Sequence, residues 1–290
     1  MTTIESKLAD LEGTQEHITP WALENLPPFP GVALQLLQLL AKEDIHIREV
    51  GRFIAADPVF AADVLQIANS ALFGLRSQVK TIAHAVMVLG LERVKAVSLT
   101  RAFGMYLTPV MRVEAVRRCW QNSLAGALLA EKLADCCGID VPLAYTAGLL
   151  RDIGRFALLV KYPGPYANML AVSQDNGYDL MSTERELFDV DHCQAGAWLT
   201  QKMKLPEELR EVAAGHHLPV NGGPFGLVQL VHVADAMSDC LGFGILPEPP
   251  DADLARALEV LPAAARARLD DDPEKLKKEI NERILLLSRN

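Results

Sequence analysis

Six side chains in the C-terminal half have the types that metal-assisted hydrolysis needs: Asp152, Asp191, His192, His216, His217 and Asp235. Neutral imidazole nitrogens and carboxylate oxygens suit first-row transition metals, and a metal held this way lowers the pKa of a bound water until it is a nucleophile at neutral pH. Each residue also has a simpler explanation. Asp191 can cap the helix that His192 opens, the helix dipole favours a His pair such as His216-His217 at a helix end, and Asp235 on an apolar helix can be a buried hydrogen-bonding group. Spacing alone leaves both explanations open. The stretch AGLLRDIGRF, residues 147–156, adds a conflict, because Arg151 places a cation directly before Asp152.

Groups this far apart in sequence can meet only if several elements carry them, and the pattern supplies helices throughout. Apolar residues recur at the helical period in Leu34, Leu37, Leu40 and Ala41 and again in Ile47, Val50 and Ile54. Asp57-Pro58 reads as an N-cap with proline at the first helical position, opening a pattern (Val64, Leu65, Ile67, Ala68, Ala71, Leu72) that runs to Gly74. Thr81 caps a helix through Leu89 that Gly90 stops, and another runs from Leu91 to Leu107. A long helix over 114–137 ends at Gly138, and Pro142 opens the helix that carries residues 147–156. Asn176-Gly177 marks a turn, with helices expected over 183–190, 191–204, 206–216 and 224–241. No sustained two-residue alternation argues for a strand, so the expected fold class is all-α.

Beyond Gly242 the composition turns acidic and proline-rich. Residues 243–254 read as a linker and the rest as an amphipathic helical tail, expected to pack on the same domain rather than await a partner helix. Residues 1–18 form an N-terminal extension.

With 290 residues, half of them hydrophobic, the chain can bury a sizeable core. Its formal charge of −9 argues against a surface built as a whole for nucleic acid. The charge is uneven, however. Arg76, Lys80, Arg93, Lys95, Arg101, Arg112, Arg117 and Arg118 face only Glu92 and Glu114 within residues 76–118, a local +6 that keeps a nucleic-acid-binding surface as a minor alternative. In VMVLGLERVKAVSLTRAF the helix–glycine–helix pattern is superficially that of a DNA-binding turn, but any helical bundle contains such pairs. Five cysteines without a C-x-x-C pair are cytosolic usage, and neither a signal-peptide pattern nor an apolar run of ~18 residues is visible. A soluble cytoplasmic protein is expected. Asn69-Ser70 reads as a helix end bonded to its turn, Trp120 and Trp198 as core anchors, and Cys136-Cys137 as buried, inert thiols.

Several motifs then point one way. LPPFPGVALQLLQLL, ADPVFAADVLQIANSALFG, TIAHAVMVLGLERVKAVSL, CWQNSLAGALLAEKLA, AGLLRDIGRFAL, ERELFDVDHCQAGAWLTQKMKLP and the His-His pair follow one another in an order that closely resembles the HDOD family, a relative of the HD-domain phosphohydrolases. The likeness spans about residues 19–240. It implies a helical bundle of two packed subdomains, 19–110 and an HD-like 111–242, followed by 243–290 as linker and tail. In the hydrolases the metal ligands are a His on the helix matching WQNS, an adjacent His-Asp pair, a later Asp and, in the cyclic-dinucleotide branch, further histidines. By motif these positions are held here by Asn122, Arg151, Asp152, His192, His216 or His217, and Asp235.

Two expected imidazoles are therefore missing. An amide oxygen is a weak transition-metal ligand, and a guanidinium keeps its proton and cannot ligate. Arg151 would also repel a neighbouring cation by several kcal/mol at an effective dielectric of ~20. The expectation is a non-enzymatic chain with no metal and no cofactor, in which Arg151 neutralises Asp152 and Asp235 as a structural ion pair. An alternative sets Arg151 and Arg155, four residues apart, as a fork for a phosphate or nucleotide. The family's members act in bacterial signalling, so the resemblance implies a regulatory adaptor that binds other proteins, in a cyclic-dinucleotide or motility pathway. A residual phosphohydrolase using Asp152, His192, His216, His217 and Asp235 is the competing function.

Overall fold

The computed structural model describes residues 19–29, 31, 35–36, 47–70, 73–75, 77–218, 224–246, 253–270 and 272–288. Among them there is no strand, and the fold is an all-α bundle of packed subdomains. The stripe at Leu34, Leu37, Leu40 and Ala41 lies outside the described residues.

The N-terminal group comprises α1 (Ile47–Ala55), α2 (Pro58–Ala68), α3 (Ile82–Leu89) and α4 (Leu91–Leu107). The local chemistry places their ends. The Asp57 carboxylate accepts from the Val59 and Phe60 amides at 3.0 and 3.1 Å, Thr81 Oγ1 accepts from His84 N, and Gly90 takes a φ of +84° that stops α3 and starts α4. Helix α2 stops at Ala68, short of Gly74. The reason is Asn69: its Nδ2 donates to the carbonyls of Leu65 and Val79, both at 2.8 Å, and its Oδ1 accepts from Val79 N at 2.7 Å. That side chain replaces the next helical turn and pins the incoming segment. The basic stretch is partly neutralised within the chain, since Lys95 pairs with Glu92, Arg101 with Asp63 and Arg117 with Glu114.

The second group is built on α5 (Glu114–Cys137), ended by the left-handed Gly138. Around it lie α6 (Val141–Leu150), α7 (Ile153–Lys161), α8 (Pro163–Asn176), α9 (Leu180–Phe188), α10 (His192–Lys202), α11 (Glu207–Gly215) and α12 (Leu227–Ser238). Glycines set the closest approaches. A Cβ at Gly148 would lie 2.8 Å from Ala127 Cα, so α6 rides directly on the α5 backbone, and one at Gly154 would lie 2.1 Å from the His192 carbonyl oxygen, which draws α7 against α10.

Three further boundaries differ from expectation. Residues 147–156 do not form one helix: α6 ends at Leu150, Asp152 sits at φ −98°, ψ 23°, and α7 begins at Ile153. Helix α9 starts at Leu180 because the Asp179 side chain accepts from Ser182 N at 2.9 Å. Helix α12 ends at Ser238 and passes into a π-turn over Asp239–Phe243, closed by Gly242 at φ +84°.

After short turns α13 (Leu254–Leu258) and α14 (Ala263–Arg266), the tail forms α15 (Pro273–Leu287), capped by Asp272. Leu276, Ile280, Ile284 and Leu287 are buried along one face, and Lys132–Glu279 and Arg283–Glu131 tie α15 to α5. The tail thus packs on the body of the protein. Trp120 is buried edge-on to Phe156, whereas Trp198 is only half-buried, with the Lys202 ammonium 4.4 Å above its ring. Cys136 and Cys137 are half-buried rather than buried.

Candidate functional site

Each singled-out residue is carried by a different piece of backbone. Asn122 lies in the middle of α5, Arg151 and Asp152 form the break between α6 and α7, and His192 opens α10 beneath the Asp191–Gln194 capping box. His216 caps the end of α11, His217 follows it, and Asp235 faces inward from α12. The fold brings all of them together. Asn122, Asp152, Arg155, His192, His217 and Asp235 line a cavity of about 400 Å³, together with Leu180, Met181, Ile245 and Leu246.

Arg151 lies behind that wall and is fully buried. Its Nε donates to Asp235 Oδ1 at 2.9 Å and stands 3.4 Å from Asp152 Oδ2. Nη1 donates to the Gly148 carbonyl at 2.8 Å, and Nη2 donates to the Asn122 carbonyl at 3.2 Å and to Asn122 Oδ1 at 2.5 Å. The Asn122 amide is completed by Nδ2 donating to Ser238 Oγ at 2.7 Å. Space for the guanidinium comes from Gly126, where a Cβ would lie 2.3 Å from Arg151 Nη1. Burial alone would make Asp235 and Asp152 harder to ionise, but both are held below the usual carboxylate range: Arg151 does this for Asp235, and Arg155 followed by Arg151 for Asp152.

Arg155 makes a second buried network that points away from the first. Its Nε donates to Asp152 Oδ1 at 2.9 Å, Nη1 to Tyr166 Oη at 2.7 Å and to Glu184 Oε1 at 3.1 Å, and Nη2 lies 3.0 Å from His192 Nε2. The helix break at Arg151-Asp152 separates the two guanidiniums, so the common face expected for residues four apart on one helix is not formed. Around the cavity Asp152, Asp179, Asp235 and Asp239 outnumber Arg155, a surrounding that disfavours an anion. Burial, reinforced by Asp235, pushes the Asp239 carboxyl up to about 7.

Glu184 is the principal residue that sequence reasoning missed. It is fully buried on α9, where it accepts from the Tyr166 hydroxyl, from His192 N at 2.8 Å and from His192 Nδ1 at 2.6 Å. Burial opposes its charge, yet His192 and Arg155 pull the carboxyl down to about 2. The histidines themselves cluster, with ring centroids 4.2–5.5 Å apart. His192 Nε2 and His216 Nε2 lie 3.7 and 3.8 Å from Asp152 Oδ1. His216 is buried, its Nδ1 donates to the Val212 carbonyl at 3.1 Å, and its Nε2 has no hydrogen-bond partner. Burial, then His217, holds His216 neutral well below the usual imidazole range.

The family model of the HDOD domain matches residues 26–219. The chain belongs to the HDOD domain family. A protein of Treponema pallidum (strain Nichols) without an assigned function is 23% identical over 197 residues, which span 67% of this chain and 38% of that protein. Among solved structures, an HDOD domain protein of unknown function from Geobacter sulfurreducens superposes with a TM-score of 0.69 at 22% identity, covering 98% of this chain and 95% of that one. A protein described as a proposed phosphohydrolase from Shewanella amazonensis SB2B gives 0.66 at 24% identity, covering 92% and 95%. A proposed signal transduction protein from Marinobacter aquaeolei VT8 gives 0.62 at 21%, covering 92% of this chain and 60% of that one. At these identities the superpositions speak to fold.

The HD relationship implies paired divalent cations, and the donor set can be tested against that arrangement. Between Asp152 and Asp235 it does not fit, because a guanidinium already bonds Asp235 there and both functional atoms of the Asn122 amide are committed.

Proposed function

We propose that this HDOD chain is a non-catalytic regulatory adaptor that works in the cytoplasm by binding other proteins, in a bacterial signalling pathway of the cyclic-dinucleotide or motility type. The observation that carries the reading is the position of Arg151. Its guanidinium joins Asp152 and Asp235, the two carboxylates a hydrolytic metal pair would use, and holds α6, α7 and α12 together without a metal. Fold likeness to a proposed signal transduction protein supports the same direction.

Two measurements test it. Purified protein incubated with cyclic dinucleotides and simple phosphodiesters, with manganese or iron added, is expected to show no turnover. Turnover that disappears in Asp152→Ala would overturn the adaptor reading. In the native cell, crosslinking followed by mass spectrometry is expected to recover the same protein partner with the wild-type chain and with Asp152→Asn. Failure to recover any reproducible partner counts against it.

A further inference from the structure

The Arg151 network leaves the other face of Asp152 unexplained. There, one nitrogen and one sulfur atom have no role in the ion-pair network: the orphaned Nε2 of His216 and the thiol of Cys193, both buried. We propose that His192, Cys193, His216 and His217 form a binding site for one thiophilic divalent transition-metal ion, zinc by preference, separate from the Asp152–Asp235 position that Arg151 fills.

Geometry carries the proposal. One ligand-type atom from each of the four residues lies within 4.8 Å of all the others. Cys193 Sγ is 3.5 Å from His192 Nε2. A tetrahedral zinc, with Zn–S about 2.3 Å and Zn–N about 2.0 Å, separates sulfur from nitrogen by ~3.5 Å, so small side-chain movements complete the sphere. The outer contacts are those that orient ligating imidazoles: His192 gives its Nδ1 proton to a carboxylate, Glu184, and His216 gives its Nδ1 proton to the Val212 carbonyl. In both rings this leaves Nε2 as the nitrogen that would face the ion.

Charge and access agree with it. Asp152, Glu184 and Asp235 lie against Arg151, Arg155 and His192, and a dication with a Cys193 thiolate, entering as the His192 Nε2 proton leaves, keeps the charge of the cluster unchanged. Arg155 Nη2 is the competitor for His192 Nε2, but Arg155 keeps Asp152, Tyr166 and Glu184 when that single contact is given up. His192 and His217 line the cavity, and the His217 side chain is 34% exposed, which gives an ion a path inward. Three imidazoles and a thiolate select a soft or borderline ion over magnesium or calcium. Four protein ligands close the coordination sphere and leave no position for a reacting water, so the site is structural in character. It stands or falls independently of the adaptor reading.

The test is a titration of chelator-stripped full-length protein with cobalt(II) alone. The expected result is tetrahedral cobalt absorption saturating at one ion per chain, a near-ultraviolet thiolate-to-cobalt band, and loss of both when zinc is added. Cys193→Ala should abolish the sulfur band and weaken cobalt at least tenfold. Glu184→Gln, which touches the ligand His192 and not the ion, should keep the sulfur band while weakening the ion about 10- to 100-fold. No saturable cobalt absorption in the wild-type protein, or a near-ultraviolet spectrum unchanged by Cys193→Ala, overturns the proposal. The wild-type titration decides even if a variant fails to fold, and partner recovery from stripped protein reports separately on the adaptor.

Discussion

Asp152 divides the site into two unlike halves. Toward Oδ2 lies Arg151, fully buried, its donors distributed over Asp235, Asn122 and the Gly148 carbonyl, with Gly126 shaped to admit it. Toward Oδ1 lie His192 and His216 at 3.7 and 3.8 Å, with Cys193 beside them, and the His216 Nε2 has no hydrogen-bond partner among the described residues. Both halves carry ion pairs, since Arg155 bonds Oδ1, Tyr166 and Glu184, but only the histidine side also holds a buried imidazole nitrogen without a hydrogen-bond partner among the described residues. The difference teaches that one buried carboxylate can serve a closed guanidinium set through one oxygen and leave imidazole and thiol donors beside the other.

The comparison breaks hardest at Arg151. Arg151→Met leaves Asp152 and Asp235 buried with one counter-charge removed, and chemical denaturation should show a loss of about 3–5 kcal/mol. Gly126→Ala tests the same half from the other side by pressing a methyl group into a guanidinium that has no free direction to move, a loss of about 1–3 kcal/mol. In an Arg151→Met background that penalty should shrink, and an additive double-mutant cycle would show that the two residues are not coupled.

The rim responds to pH. Asp239, raised from 3.8 to about 7, binds its proton more tightly in the folded chain than in the unfolded one, so stability falls as pH rises from about 4 to 7 and stays low above that. Asp239→Asn removes this, and should stabilise by about 1–2 kcal/mol at pH 8 while doing little at pH 4, as read from denaturation midpoints.

The histidine half should be forgiving when no metal is present. His216→Leu deletes an unpaired buried nitrogen, and the Val212 carbonyl keeps its backbone bond from residue 216, so the change should be neutral or stabilising by up to about 1 kcal/mol. A loss as large as that of Arg151→Met would erase the distinction between the halves. Glu279→Ala, breaking a partly exposed pair with Lys132 far from the site, sets the scale of a background effect at about 0.5 kcal/mol or less.

Much of this was legible in the chain because the signals are local. Asp57-Pro58, Thr81, Gly90, Gly138 and Asn176-Gly177 declare helix ends through caps and left-handed glycines, and the structure places ends at each of them. The motif positions Asn122, Arg151, Asp152, His192, His216, His217 and Asp235 converge as a set. What stayed hidden depends on partners from elsewhere in the fold. AGLLRDIGRF has no proline and no glycine at the break, so nothing within it announces that Asp152 leaves the helix. Glu184 in STERELF has the look of a solvated helix face, and only Arg155, Tyr166 and His192, arriving from three other elements, make it a buried anion. Cys193 was passed over for the same reason, since a single thiol acquires meaning only beside imidazoles brought from α11.

Gly126 also limits which pairs of residues this interior accepts. An arginine at position 151 needs the vacant volume above residue 126, so the two positions are sterically linked. With Arg151 in place any side chain at 126 is costly, and a smaller residue at 151 would open a hole beside α5 as well as remove a charge. The two positions therefore work as one unit: a single carbon, the Cβ that separates alanine from glycine on α5, decides whether the guanidinium fits.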